Sequence, residues 1–364
     1  MANNDVEWLF ERRHASDGWH IGRVAHQQKE WIVVQATSNG MAGEAWGPFS
    51  ERLQHEVETL LDLADRHQER PTAGDRGSED ALLPCGLIAT SKLELTSRRY
   101  GVPLHLWLGG TLRTSVRVAV PIVFHGETPR RRGPELERAE EHIRNCHQRL
   151  GITSFAIYDS SPDIDLIASS LPVLRFEAGL GATLTLHLPG QFDVDQTQRL
   201  CSQVQDCGLT YMADPCASIA MAAKASRDRL PALGLSVWKY EREDLLASLP
   251  ETPPAVLLVD PLLEGGPTAV RKLASIARVL QSEVCLTAEK GGTWLTYHCV
   301  ELAAVVPASH QPVQLPTGLS IEDLQALGVR SGKLLLPGLP NRPALETVPD
   351  HTDNFSGPSP VAEY

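Results

Sequence analysis

A repeat of short apolar segments and amphipathic helices, running from Val116 to Val306, constrains this chain more than any other feature. Residues 116–122, 153–158, 173–177, 183–187, 209–212, 234–238, 255–259 and 283–287 read as strands from their β-branched and aliphatic content. Helices are predicted over 134–150, 195–207, 215–229, 242–249, 267–280 and 294–306. Strands alternating with helices pair in parallel through right-handed crossovers. Over about 200 residues this pattern suits a β/α barrel. A doubly wound open sheet is the rival, but no glycine-rich dinucleotide turn follows the first strand.

The first 112 residues read as a separate α+β unit. Glu30–Thr37 is a strand, Ser38-Asn-Gly-Met41 its turn, and 50–67 a helix with Leu53, Val57, Leu60, Leu61 and Leu63 mainly on one face. A longer helical stretch runs from Leu82 to Gly101-Val-Pro-Leu-His-Leu-Trp-Leu-Gly-Gly110. The barrel is then expected over 113–317. Residues 318–364 are expected to return to the cap, with the Pro-, Asp- and Ser-rich tail from Glu346 left partly disordered.

Composition excludes several classes of function. A net charge of -12 argues against a nucleic-acid backbone as partner. No apolar run nears the roughly 20 residues of a membrane-spanning helix. The N-terminal residues lack a basic-then-apolar leader, and the seven scattered cysteines fit no zinc spacing. Reduced thiols in a cytoplasmic protein are the expectation. The basic run Arg130-Arg-Arg-Gly133 reads as a solvated loop.

Five motifs in order resemble the enolase superfamily. The strand at 30–37, followed by Gly40 and Gly43-Glu44-Ala45, is similar to the signature of its capping domain. The 101–110 segment resembles its lead-in to the barrel, and 151–158 its second barrel strand. Asp260-Pro-Leu-Leu-Glu-Gly-Gly-Pro267 and Pro316-Thr-Gly-Leu319 look closest to the o-succinylbenzoate synthase branch of the muconate-cycloisomerase-like group. The resemblance implies a TIM-type barrel with an α+β cap. It also implies lyase or isomerase chemistry on a small carboxylate. In that chemistry a base removes an α proton and magnesium stabilises the enediolate.

The residues depart from that chemistry. Aligned on the motifs, the second-strand lysines fall on Ala156 and Tyr158, and the sixth-strand lysine on Asp260. The third-, fourth- and fifth-strand metal ligands fall on His187, Ala213 and Ser236 or Val237. A one-residue slip restores Asp214, but not a full ligand set. No cofactor is therefore expected, where the family uses magnesium.

His187 and Asp260 are the leading acid–base candidates, with Lys290 in a glycine-flanked loop behind them. Trp46, Phe49, Tyr158, Asp214 and Ser236 are candidate pocket residues, although an interdomain core is the plainer role for the first two. Lys239 reads as solvated surface, and Asp159 as a helix cap or a site residue.

Three readings stay open. The first is a divergent or inactive homologue that binds a small carboxylate or a protein. The second is a metal-free isomerase or lyase using His187 and Asp260. The third is a magnesium-dependent synthase whose register the alignment misplaces. Homo-oligomer formation is left open as well.

Overall fold

The computed structural model describes residues 7–14, 30–65, 82–110, 112–125, 129–226, 231–240, 253–288, 292–307 and 309–336. The 242–249 helix, Lys290 and the tail from Glu346 lie outside them.

The N-terminal unit is an antiparallel sheet of β1 (Glu7–His14), β2 (Glu30–Ser38) and β3 (Met41–Pro48), in that order. Asn39 and Gly40 form the expected tight turn between β2 and β3. Helix α1 (Glu51–Asp65) buries Leu53, Val57 and Leu61. Helix α2 (Leu83–Tyr100) packs against β2 and β3, ends at the left-handed Gly101, and leads into the short α3 (Leu104–Trp107).

Eight parallel strands follow: β4 (Ser115–Phe124), β5 (Ser154–Asp159), β6 (Thr183–His187), β7 (Tyr211–Ala213), β8 (Ala232–Ser236), β9 (Val256–Val259), β10 (Glu283–Leu286) and β11 (Val313–Gln314). From β4 to β10 each pairs with the next, and β11 pairs with β4. A parallel bridge between Thr287 and Gln314 closes the ring. This is a TIM-type barrel carrying an α+β cap. Among the described residues its crossover helices are α4 (Pro129–Leu150), α5 (Ile164–Ala178), α6 (Val194–Val204), α7 (Ile219–Ser226), α8 (Pro267–Val279) and α9 (Gly292–Val305).

Two expectations are corrected. Residues 173–177 are the last turns of α5, not a strand; its N-cap Asp163 accepts from the Asp165 and Leu166 amides, and the helix stops at Gly179. Arg130–Gly133 is the first turn of α4, not a solvated loop. Arg132 is buried, ion-paired to Asp159, and donates from Nε to Ser170 Oγ at 2.9 Å. Its guanidinium carbon lies 3.8 Å from the centroid of the Phe124 ring. Asp159, at the end of β5, also accepts from the Ser161 amide, so it ties helix to barrel. The described part of the C-terminal segment lies on the barrel. After α10 (Ile321–Ala326), strand β12 (Lys333–Leu335) pairs antiparallel with the start of β4.

The turn after β9 shows how cap and barrel are joined. A Cβ at Gly86, on α2, would sit 2.1 Å from the Leu262 carbonyl oxygen. Gly266, at φ 103°, caps α8 beneath the same helix, and a Cβ there would meet Ala89 Cβ at 2.8 Å. Helix propensity alone would favour Gly86→Ala by about 1 kcal/mol. The backbone overlap acts against it and is larger, so a net loss of about 1–3 kcal/mol is expected, read as a lower urea midpoint. A raised midpoint would show that α2 can lift off the turn without strain.

Candidate functional site

Catalytic and binding groups of a β/α barrel stand at the C-terminal ends of its strands. His187, Ala213 and Ser236 are the last residues of β6, β7 and β8, three neighbours in the sheet. They occupy one rim, as the sequence alignment requires.

His187 is buried in a polar layer that crosses the barrel. Its ring stacks on Tyr158, with centroids 4.6 Å apart, and meets Tyr211 edge-on. Gln314 Nε2 lies 2.9 Å from His187 Nε2 and donates to the Tyr211 hydroxyl at 2.9 Å. The Tyr158 hydroxyl donates to Gln314 Oε1 at 2.8 Å. Thr185 Oγ1 is also 2.9 Å from His187 Nε2. With the amide nitrogen of Gln314 donating, the imidazole accepts at Nε2 and is neutral. Burial, with a smaller push from Lys239, drives its pKa down to about 3. The ring therefore holds no second proton near neutral pH. Below it the Tyr211 ring fills the place a side chain at Gly234 would take, with a Cβ only 2.7 Å from the ring.

Asp260 follows β9 directly and is fully buried. Its carboxylate accepts from the Leu262 amide at 2.9 Å and more weakly from Leu263 at 3.5 Å. That is an Asp-Pro turn held by its own side chain. β7 and β8 separate β9 from β6.

Asp214 and Ser236 do come together, and Lys239 joins them. Asp214 follows β7 with φ at 48° and is buried. One carboxylate oxygen accepts from the Ser236 amide at 2.8 Å and from the Tyr240 hydroxyl at 3.5 Å. The other accepts from the Ser236 hydroxyl and lies 3.0 Å from Lys239 Nζ. The Lys239 ammonium also reaches the Leu188 carbonyl at 3.5 Å. Lys239 is thus no free surface charge. Three residues past β8, it turns back onto the rim. The sequence carried one hint, a lysine close behind a barrel strand, outweighed by its charged neighbours Glu241 and Arg242.

Trp46 packs with Trp31, Val33 and Trp294 between cap and barrel, and its indole nitrogen donates to Glu44 Oε2 at 3.2 Å. Phe49 packs against the main core. Nearby, His105 Nδ1 lies 3.1 Å from Glu301 Oε1, both buried, and His298 packs on Trp294.

Magnesium requires hard oxygen donors. On this rim His187 offers a nitrogen already in use, Ala213 offers nothing, and the Ser236 hydroxyl is spent on Asp214. Among the described residues, no group of three His, Cys, Asp or Glu side chains could hold a metal ion. The set does not fit the ion the fold family implies.

No family model matches the sequence, and no curated protein matches it. Solved structures do. An isomerase from Streptomyces coelicolor A3(2) superposes with a TM-score of 0.73 at 16% identity, covering 92% of this chain and 91% of its own. An enolase from Mycobacterium smegmatis, complexed with tartrate, gives 0.74 at 16%, covering 93% and 88%. A mandelate racemase/muconate lactonizing enzyme from Sulfitobacter sp. gives 0.69 at 14%, covering 91% and 90%. Among the described residues no helix is long and apolar enough to cross a membrane. What the chain shares with these proteins along nearly its whole length is the fold, the capped barrel of the enolase and mandelate racemase/muconate lactonizing enzymes.

Proposed function

We propose that the protein is a divergent relative of enolase-superfamily isomerases and lyases, with motifs closest to o-succinylbenzoate synthases. It binds a small carboxylate at the barrel mouth and does not use magnesium to do so. One observation carries this reading: the ends of β6, β7 and β8 present a neutral histidine, an alanine and a serine where the chemistry needs carboxylates. With no lysine at position 156, 158 or 260, the described rim lacks the base that the family's chemistry uses to abstract an α proton.

Calorimetric titration with magnesium tests it. No saturable heat is expected, with or without tartrate present. A stoichiometric response would sink the reading and favour a conventional magnesium-dependent synthase. The metal-free alternative through His187 and Asp260 gains no support from their surroundings. One ring is neutral and hydrogen-bonded, and the carboxylate caps its own turn. Turnover of cyclohexadiene carboxylates in chelator, abolished by His187→Ala, would reinstate it.

A further inference from the structure

We propose that the ammonium of Lys239 is a tethered cation standing in for the metal, and that it receives the carboxylate of a small organic acid. This rests on the small-carboxylate reading above and names the group that would do the binding. The ammonium is held by the ends of three consecutive strands. Leu188 follows β6, Asp214 follows β7, and Lys239 itself follows β8. It lies 3.0 Å from Asp214 Oδ2 and 3.5 Å from the Leu188 carbonyl oxygen. These are the strands that carry the metal ligands in the resembled family.

The geometry is that of a built site. An ammonium has three donors. It donates to the Leu188 carbonyl and pairs as an ion with Asp214, which leaves donor capacity for a ligand. The Lys239 side chain keeps 28% of its surface accessible, while Asp214 keeps 3%. The cation is therefore reachable from solvent and its counter-ion is not. Asp214 is supplied with other donors as well, from the Ser236 amide and hydroxyl and the Tyr240 hydroxyl. These neutral donors hold the Asp214 carboxylate in place, so the ammonium can turn toward a ligand without leaving its counter-ion unsolvated. A single charge of this kind can orient and neutralise one carboxylate. It cannot match a divalent ion against an enediolate, which agrees with binding rather than metal-type catalysis.

The test is calorimetric titration of tartrate, succinate and benzoate, and of the amide of each, into the purified chain. The proteins are the wild type, Lys239→Met, Lys239→Arg and Lys239→Met/Asp214→Asn. Lys239→Met strands a buried carboxylate, so the double variant keeps the experiment readable if the single one folds poorly. At least one acid should bind the wild type while its amide does not. That acid should bind at least tenfold more weakly to both methionine variants, with partial recovery in Lys239→Arg. Unchanged affinity in a folded methionine variant overturns the role of Lys239 and leaves the carboxylate reading standing. Failure of every acid to bind the wild type overturns both. Binding that appears only with magnesium present also overturns both, and points to a metal site instead.

Discussion

Replacing Arg132 by methionine is expected to lower folding stability by about 3–5 kcal/mol, the usual cost of leaving one partner of a buried ion pair alone. The Arg132 and Asp159 side chains keep 4% and 1% of their surface accessible. Removing the guanidinium leaves the Asp159 carboxylate with the Ser161 amide but no counter-charge. It also removes the cation from the face of Phe124 and the donor to Ser170, which join α4 to β4 and α5. The pair is not at its optimum, because Arg132 Nη1 has no hydrogen-bond partner in its buried position. The double variant Arg132→Met/Asp159→Leu should therefore recover most of the loss. Denaturant unfolding of the three proteins checks this. A single variant as stable as the wild type would mean that water already reaches the pair.

Mild acid is the second large perturbation. Burial drives His298 down to about 4 and His187 to about 3. For His298, Glu301 opposes that effect and Arg98 adds to it. Both rings are neutral in the folded chain, whereas the unfolded chain protonates each near 6.5. Between those values the unfolded state binds more protons. Stability is then complete above about pH 6.5 and falls as pH drops, toward 4 for His298 and toward 3 for His187. Each ring should contribute about 1.4 kcal/mol per pH unit within its window. Burial lowers His142 too and adds in the same direction. Urea midpoints between pH 6.5 and 5, above most carboxylate titrations, should fall steeply for the wild type. His298→Leu or His187→Gln should each remove roughly one proton's worth of the slope. A flat profile would show that both rings exchange protons with solvent in the folded state.

The barrel was legible because its signal is periodic and repeated. Aliphatic runs such as 183–187 and 255–259 sit at βα spacing, and their neighbours agree with them. The 173–177 segment was misread because Val-Leu-Arg-Phe satisfies either period over so few residues. What decides it is the cap at Asp163, ten residues upstream. Arg130–Gly133 carries loop composition, and only tertiary burial against Asp159 makes it helix. Strand β1 had no turn or alternation strong enough to announce it.

The residues that end the barrel strands were legible, and the contacts between them were not. Reading His187, Ala213 and Ser236 along the chain puts no carboxylate at the ends of β6, β7 and β8. The Lys239–Asp214 pair spans two different strand ends, and no spacing rule joins them. Asp214 also adopts a left-handed backbone that its residue type does not demand.

Strand β11 pairs with β4 only at Val118 and Ala119. The part of β4 before it, Ser115–Arg117, is covered by β12. The first barrel strand is thus sealed by a segment that belongs to no βα unit and lies near the far end of the described chain. During synthesis the seam stays open until all the other barrel strands have been made, and its closure joins the most distant partners in the sheet. The nascent barrel passes through a stage with seven strands paired and two edges, β4 and β10, bare, and at that stage it is most exposed to pairing with a neighbouring chain.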